Sequence, residues 1–523
     1  MASPPNVESI YRLTATQEGI LFHAVQNEAT GLYLQQFTAV LVGELEVERF
    51  RRAWEATVAR HPALRALFTW KKRPHPLQVV RRTVELPLEV VDDVGLINDG
   101  AALETFLEQD RRRGLPLDAA PVMRLTLVRG SAGRHRLIWT FHHIALDGWS
   151  MRTVLHEALG RYAGVEPGGP LPASQSHQSF VEWLGSQPEE AALSFWREHL
   201  RGFDEPTRLA VAAPAGPPPS SEGGSHRDHV LRLSTERTAA LAQAARSGRV
   251  TLNTMLRAAW ALTLARFSGR DDVVFGATVA GRPPELPGIE ETVGMFIHTI
   301  PVRTRIDRSQ RAAAWCTSLQ HDQLDALPFE TTSLAAIQRA SDVAPGTALF
   351  ESILVMENHA APEMTGLESG RSSLQIEEAR YLERSHYPLA LLVVPGPELE
   401  LILVHDVAKV SPDVATQLLE FVEQTLSRLA HQPQCTVAEL AALGDKELHR
   451  LEQLSRSPAQ KAAVQADDVI RRIEAAALAN PEGVALRCPG SDPESVTYQD
   501  LVERSQALAT GLQGHGVAPG DLV

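Results

Sequence analysis

Apolar and polar positions run in two rhythms along the first part of the chain. "TATQEGILFHAVQ" (14–26) has a helical rhythm, with Thr14 or Thr16 placed to cap it. "LYLQQFTAVLVGEL" (32–45) alternates with the period of a strand. "EVERFRRAWEATVARHPALRALF" (46–68) sets Phe50, Trp54, Val58, Leu64 and Leu67 at near-helical spacing. "VMRLTLVRG" (122–130) and "RHRLIWTFHH" (134–143) flank "SAG", which predicts a β-hairpin. "SMRTVLHEALGRYAG" (150–164) then aligns Val154, Leu155, Ala158, Leu159 and Tyr162 on one helical face, with Ser150 available as its cap.

The same mixture recurs in the second region. Residues 179–203 read as helical, and "LNTMLRAAWALTLARFSG" (252–269) as an apolar, buried helix leading into the strand "DDVVFGATVAGRP". Further strands are expected in "TIPVRTRI", "FESILVMEN" and "LELILVHDV", while the Pro-, Gly- and Ser-rich stretch 205–227 predicts a surface loop. The expected organisation is two α/β lobes, 8–175 and 176–440, a polar connector 441–465 and a new α/β start at 466–523. About 55 residues are too few to bury a full core of this kind, so the last segment is expected to be the beginning of a domain.

Composition narrows the partners. The 64 acidic residues outnumber the 50 Lys and Arg, giving a net charge of −14, which disfavours nucleic acid. Three cysteines, Cys316, Cys435 and Cys488, lie far apart without CxxC spacing, which suits a reducing cytoplasm. Neither a secretory leader nor a membrane span is visible, so a cytoplasmic, membrane-free protein is expected.

The candidate chemistry lies in "TFHHIALDGWSM" (140–151). Adjacent strand side chains point to opposite faces, so His142 and His143 are poorly placed to share a metal, and neither HExxH nor nearby thiolates accompany them. His143 falls where a strand gives way to a tight loop, the usual support for a reactive side chain. Gly148 is expected to allow the turn, and Asp147 to brace it through backbone N–H groups or an arginine. A satisfied core histidine and an ordinary Asp-Gly turn account for the same residues, so spacing alone names no reaction.

The stretch "HHIALDGWS" nevertheless resembles the HHxxxDG signature of condensation domains of non-ribosomal peptide synthetases, and six further stretches resemble that family's motifs in order. These are "LTATQEGILFHA" (13–24), "RHPALRALF" (60–68), "SFVEWL" (179–184), "GMFIHTIPVR" (294–303), "HDQLDALPFE" (321–330) and "RSHYPLAL" (384–391). "VTYQDL" (496–501) resembles the first core motif of an adenylation domain, whose ATP-binding motifs are absent. "QEGILFH" and Leu146 resemble the subtype that takes a D-configured donor and an L-aminoacyl acceptor.

That resemblance implies two chloramphenicol-acetyltransferase-like lobes forming a V-shaped pseudo-dimer with a tunnel between them. An upstream carrier would present a peptidyl or acyl thioester and a downstream carrier an aminoacyl thioester, each on 4'-phosphopantetheine. Because no GGxS carrier motif occurs, both carriers come from elsewhere; the adenylation domain lies in cis, and no cofactor is attached to this chain. If Met1 is the natural start, the donor carrier docks in trans at the N-terminus. His143 is the implied catalytic residue, with His142 behind it and Asp147 and Gly148 shaping the loop. Asp147 then needs a cation, for which Arg60, Arg65, Arg124 and Arg282 are candidates. Trp149, Ser150, His298 and Ser385 are tunnel or substrate candidates, His298 replacing the family's usual Asn. The competing readings are an epimerisation domain and a catalytically silent recruitment module of the same fold. A heterocyclisation domain would carry DxxxxD instead of the HH motif.

Overall fold

Strand formers uninterrupted by Gly or Pro build the centre of the first sheet. Leu34–Val42 and Arg134–His142 pair antiparallel, Leu34 opposite His142 and Val42 opposite Arg134. The sheet order is Gln375–Leu382, Leu34–Val42, Arg134–His142, Met123–Val128, Leu88–Val91. The computed structural model describes residues 6–26, 31–166, 176–209, 226–357, 374–455, 469–488 and 494–517. The chain divides into a large unit, Met1–Ala442, and a small one, Leu443–Val523.

Both faces of the first sheet are covered, so its central strands are buried nearly throughout instead of alternating with solvent. Helices Val47–Arg60 and Gly148–Ala163 pack Phe50, Trp54, Leu155 and Tyr162 against Phe37, Trp139 and Phe141. Helix Gly100–Arg113 puts Leu103 and Leu107 against Val128 and Ile138. The second sheet has six strands, in the order His298–Arg305, Asp272–Val279, Ser352–Met356, Leu389–Val394, Glu400–Asp406, His226–Arg232. Helix Leu252–Ser268 is buried on nearly every side, as its unbroken apolar run requires. A small sheet joins Val7–Arg12, Leu77–Arg81 and Ala66–Thr69.

One strand belongs to the second half of the sequence but to the first sheet. Gln375–Leu382 runs antiparallel to Leu34–Val42, with a bulge between Glu377 and Arg380 and Glu378 at φ 49°. The second lobe of the sequence is therefore not self-contained at 375–382. The strand also delivers residue 383 to the end of the His142 strand.

Several local expectations shift. Thr14, not Thr16, caps helix Ala15–Gln26: its hydroxyl accepts the Gln17 N–H (3.2 Å), and Gln17 Oε1 accepts the Thr14 N–H (3.0 Å), a capping box. The helix from Val47 stops at Arg60, because His61 precedes Pro62 and must stay extended. Leu64 falls instead in the 3-10 turn Pro62–Arg65, and Leu67 in the strand Ala66–Thr69. Residues 179–203 form parts of two helices, His177–Gly185 and Glu189–Leu200, with Pro188 between them. Within the loop expected at 205–227, residues 210–225 lie outside the described residues, and the last two open strand His226–Arg232.

The small unit contains helices Asp445–Ser455, Val469–Ala479 and Tyr498–Gly514 and an antiparallel pair, Val484–Cys488 with Glu494–Thr497. Val496 is the only buried apolar residue among its described side chains.

Candidate active site

The His142 strand is tied on both sides where it ends. The His142 N–H donates to the Val122 carbonyl (3.1 Å) and the His143 N–H to the Tyr33 carbonyl (2.8 Å). The loop then curls back, the Ala145 N–H reaching the His142 carbonyl at 3.0 Å. The Leu146 carbonyl lies 2.7 Å from His143 Nδ1. A carbonyl only accepts, so Nδ1 carries the proton and Nε2 is the basic nitrogen of the neutral ring. Nε2 lies 3.4 Å from Glu383 Oε1. Burial by itself would depress the His143 pKa, but the Glu383 charge and hydrogen bond, the Leu146 carbonyl and Asp147 together raise it above the ordinary imidazole value. His142 is the opposite case. Its Nδ1 accepts the Ile144 N–H (3.2 Å), and burial, then the neighbouring His143, push it down to about 3.

Asp147 begins helix Gly148–Ala163 and ties three segments together. One carboxylate oxygen accepts the Ser150 N–H (2.8 Å) and the other the Phe296 N–H (3.1 Å), while the Asp147 N–H donates to the Gly294 carbonyl (3.1 Å). Arg282 Nη2 lies 3.2 and 3.3 Å from the two oxygens. The guanidinium is held in turn by the Ile289 (2.5 Å) and Thr292 (2.9 Å) carbonyls and stands 4.1 Å over the Phe296 ring. Asp147 is fully buried, and this dense set of donors offsets the cost of burying its charge. Gly281 makes the approach possible. At φ +61° a Cβ there would lie 1.9 Å from the Phe296 carbonyl oxygen.

His143 and Asp147 open onto a cavity of 1120 Å³ walled by both lobes. Its wall includes the carboxyls of Glu383 and Glu357. Burial, then the Glu383 charge, lift Glu357 to about 7. Tyr33 meets His386 Nδ1 at 2.5 Å, and His386 stacks on His23 with centroids 3.9 Å apart. Burial and His23 keep His386 neutral, at about 3. Among the described residues no three His, Cys, Asp or Glu side chains converge as a metal site.

Residues 7–452 match the condensation domain family. The chain belongs to that family. A linear gramicidin synthase polypeptide of Brevibacillus parabrevis is 35% identical over 522 residues, 99% of this chain but 7% of that protein. A second polypeptide of the same synthase is 36% identical over 522 residues, covering 99% and 10%, and chondramide synthase of Chondromyces crocatus is 34% identical over 586 residues, covering 99% and 15%. The chain thus spans a small fraction of the curated relatives it matches. Among solved structures, a four-domain non-ribosomal peptide synthetase bound to AMP and glycine superposes with a TM-score of 0.72 at 17% identity, covering all of this chain and 40% of that one. The first condensation domain of the calcium-dependent antibiotic synthetase, in complex with a substrate analogue, gives 0.68 at 20% identity, covering 84% of this chain and 100% of that one. At such identities the structures establish the two-lobed α/β fold, and family membership brings amide-forming acyltransfer with it.

The condensation domain assembles some of the sequence-predicted residues and disperses others. Of the four arginines considered for Asp147, only Arg282 reaches it. Arg60 pairs with Glu157 (3.3 Å), Arg65 with Glu8 (2.5 Å) and Arg124 with Asp110 (2.5 Å). Ser150 does not cap its helix. Asp147 does, and the Ser150 hydroxyl instead takes the Gly294 N–H (3.0 Å) and donates to the Gly294 carbonyl (2.8 Å). Gly148 is not in the left-handed region; what it supplies is room, since a Cβ would stand 3.3 Å from Glu357 Oε2. Trp149, His298 and Ser385 line the cavity, whereas Ser150 and His142 lie behind it. His298 is buried, its Nδ1 2.8 Å from the Phe296 carbonyl, and burial lowers it to about 4.

Glu383 and Glu357 escaped the sequence reading. The signal for Glu383 was its position directly before "RSHYPLAL", and for Glu357 its place at the end of an expected strand. No helix among the described residues is long and apolar enough to cross a membrane.

Proposed function

We propose that this condensation domain joins a carrier-bound acyl or peptidyl thioester, D-configured at its C-terminal residue, to the amine of a carrier-bound L-aminoacyl thioester. The observation that carries the reading is the orientation of His143. Its Nδ1 is committed to a carbonyl, and its basic Nε2 lies beside Glu383 on a cavity walled by both lobes. In the reaction the acceptor amine adds to the donor thioester carbon, forming C–N and opening the C=O. The C–S bond then breaks, and the proton released by nitrogen ends on the departing sulfur. An α-amino group has a pKa of about 7.7–8.0, so freeing its neutral form near pH 7 costs roughly 1 kcal/mol. Holding the amine in line is worth several kcal/mol in principle. His143 is therefore assigned positioning of the amine, followed by acceptance of its proton at the tetrahedral stage. Glu383 stabilises the imidazolium that forms. This weights positioning above proton abstraction as the main contribution.

A cavity of 1120 Å³ suits two thin phosphopantetheine-tethered chains meeting end to end. The D-donor assignment rests on "QEGILFH", whose Gly19, Ile20, Phe22 and His23 line the cavity, and on Leu146, which is buried in the core and acts through the shape of its loop. The small unit is assigned to the start of an adenylation domain, and among its described side chains Val496 alone is a buried apolar residue. Donor and acceptor carriers and the adenylation domain in cis follow from the same reading.

The deciding experiment loads both carriers, offers donors differing only in configuration, and compares wild type with His143→Ala. The D-donor should condense about tenfold or more faster than its L-epimer. His143→Ala should cost roughly 100-fold or more. Equal use of both epimers would remove the subtype assignment, and wild-type turnover by the variant would remove the role of His143.

A further inference from the structure

The second lobe adds a cation to the reaction cavity. Arg257 lies on helix Leu252–Ser268 between buried Leu256 and Ala258, and it lines the cavity although only 6% exposed. Its Nε is buried without a hydrogen-bond partner, and among the described residues its guanidinium forms neither a hydrogen bond nor an ion pair. Glu330 lines the same cavity and is the acid that acts electrostatically on Arg257, yet the two make no ion pair. Burial lifts Glu330 to about 7, so it carries only part of a negative charge near neutrality. Gln323 Oε1, also on the cavity wall, is buried without a partner. An unpaired buried guanidinium is expensive, and proteins keep one chiefly where a ligand completes it. Arg is also the side chain best shaped to hold a planar or tetrahedral oxyanion through several N–H groups at once.

We propose that Arg257 is an anion-recognition site inside the reaction cavity, which takes an oxyanion carried by a tethered substrate. That oxyanion is either the side-chain carboxylate of a donor or acceptor residue or the phosphodiester of the pantetheine arm. The assignment rests on the condensation reading above. It makes Arg257 a specificity determinant, separate from the His143 loop.

The test uses the full chain, wild type and Arg257→Gln, with paired substrates. Aspartyl and glutamyl thioesters are compared with asparaginyl and glutaminyl ones. Each is offered both as a phosphate-free cysteamine thioester and as a phosphopantetheine thioester. A carboxylate site predicts that wild type favours acid over amide by about tenfold or more in kcat/KM, with the acid falling to the amide's level in Arg257→Gln. A phosphate site predicts that wild type favours the phosphate-bearing thioester whatever the side chain, and that the variant loses this. Either pattern supports the site and names its source. A wild type indifferent to both contrasts, or a variant that keeps the wild-type preference, overturns it. Should Arg257→Gln not fold, the wild-type contrasts and an Arg257→Lys variant, which keeps the charge, still decide. Binding alone raises the melting temperature, so the same contrasts read by thermal shift decide the site even if no amide forms, an outcome that would count against the condensation reading only.

Discussion

His142 and His143 are neighbours in the chain with opposite electrostatic fates. His142 meets a backbone donor, burial and the like charge of His143, so it stays neutral. For His143 the Glu383 carboxylate overcomes the same burial, and the ring titrates above the ordinary value. If the neutral Nε2 receives the amine, the rate rises with pH through the His143 titration. Glu383→Gln removes the charge that raises that pKa while leaving the burial that lowers it. The rising limb of the single-turnover pH–rate profile should therefore move to lower pH in the variant, with a smaller maximal rate because the imidazolium loses its counter-charge. A limb that stays in place would show that Glu383 does not govern His143. The histidines themselves were legible, because the strand pattern ends on them. Glu383 was not legible as their partner, because the contact depends on how strand Gln375–Leu382 is paired, and that is a property of the sheet.

The next scale up is the joint between elements. Helix Gly148–Ala163 belongs to the first lobe, while Arg282, Gly294 and Phe296 come from the second, and Asp147 binds all of them. Asp147→Asn keeps the size of the cap but leaves Arg282 buried without its counter-charge. Removing one member of a buried pair costs about 3–5 kcal/mol. The variant should melt several degrees lower, with turnover falling alongside; lost turnover at an unchanged Tm would instead assign Asp147 a direct part in the chemistry. Element types were readable where pattern and punctuation agreed, as in the hairpin around "SAG" and the buried helix Leu252–Ser268. Among the strands that escaped, two did so for opposite reasons. Gln375–Leu382 is a charged, bulged edge strand whose "QIEEARYL" has little apolar alternation. Leu389–Val394 is an unbroken apolar run, which a buried strand and a buried helix share. The arginine facing Asp147 was unreadable in principle, since four candidates had the right chemistry and only the closing of Gly281 against Phe296 selects one.

At the scale of the whole molecule, the cavity and the cores beside it hold many ionisable groups away from water, and their sum sets how stability varies with pH. His142, His177, His298 and His386 are lowered to about 3, 4, 4 and 3, each chiefly by burial, from an ordinary value of 6.5. A histidine depressed on folding binds its proton more readily when unfolded. Its contribution to stability is thus present above 6.5 and lost as pH falls toward the folded value. Glu330 and Glu357 oppose this, for both are raised from 4.5 to about 7 and favour the folded state as pH falls through that window. His143 is raised as well, so its pairing with Glu383 contributes fully below 6.5 and is lost as pH climbs through the folded value. Between pH 6.5 and 4.5 these four histidines outweigh the two carboxyls, and burial also lowers His23, His135, His199, His226 and His405 while raising Glu18 and Asp322, so unfolding takes up protons on balance. The full chain should melt at a lower temperature at pH 5 than at pH 7, and His298→Asn, by removing one of the four, should flatten the dependence. An equal or higher Tm at pH 5 would mean that the buried carboxyls, and not the neutral histidines, dominate the proton balance of the fold.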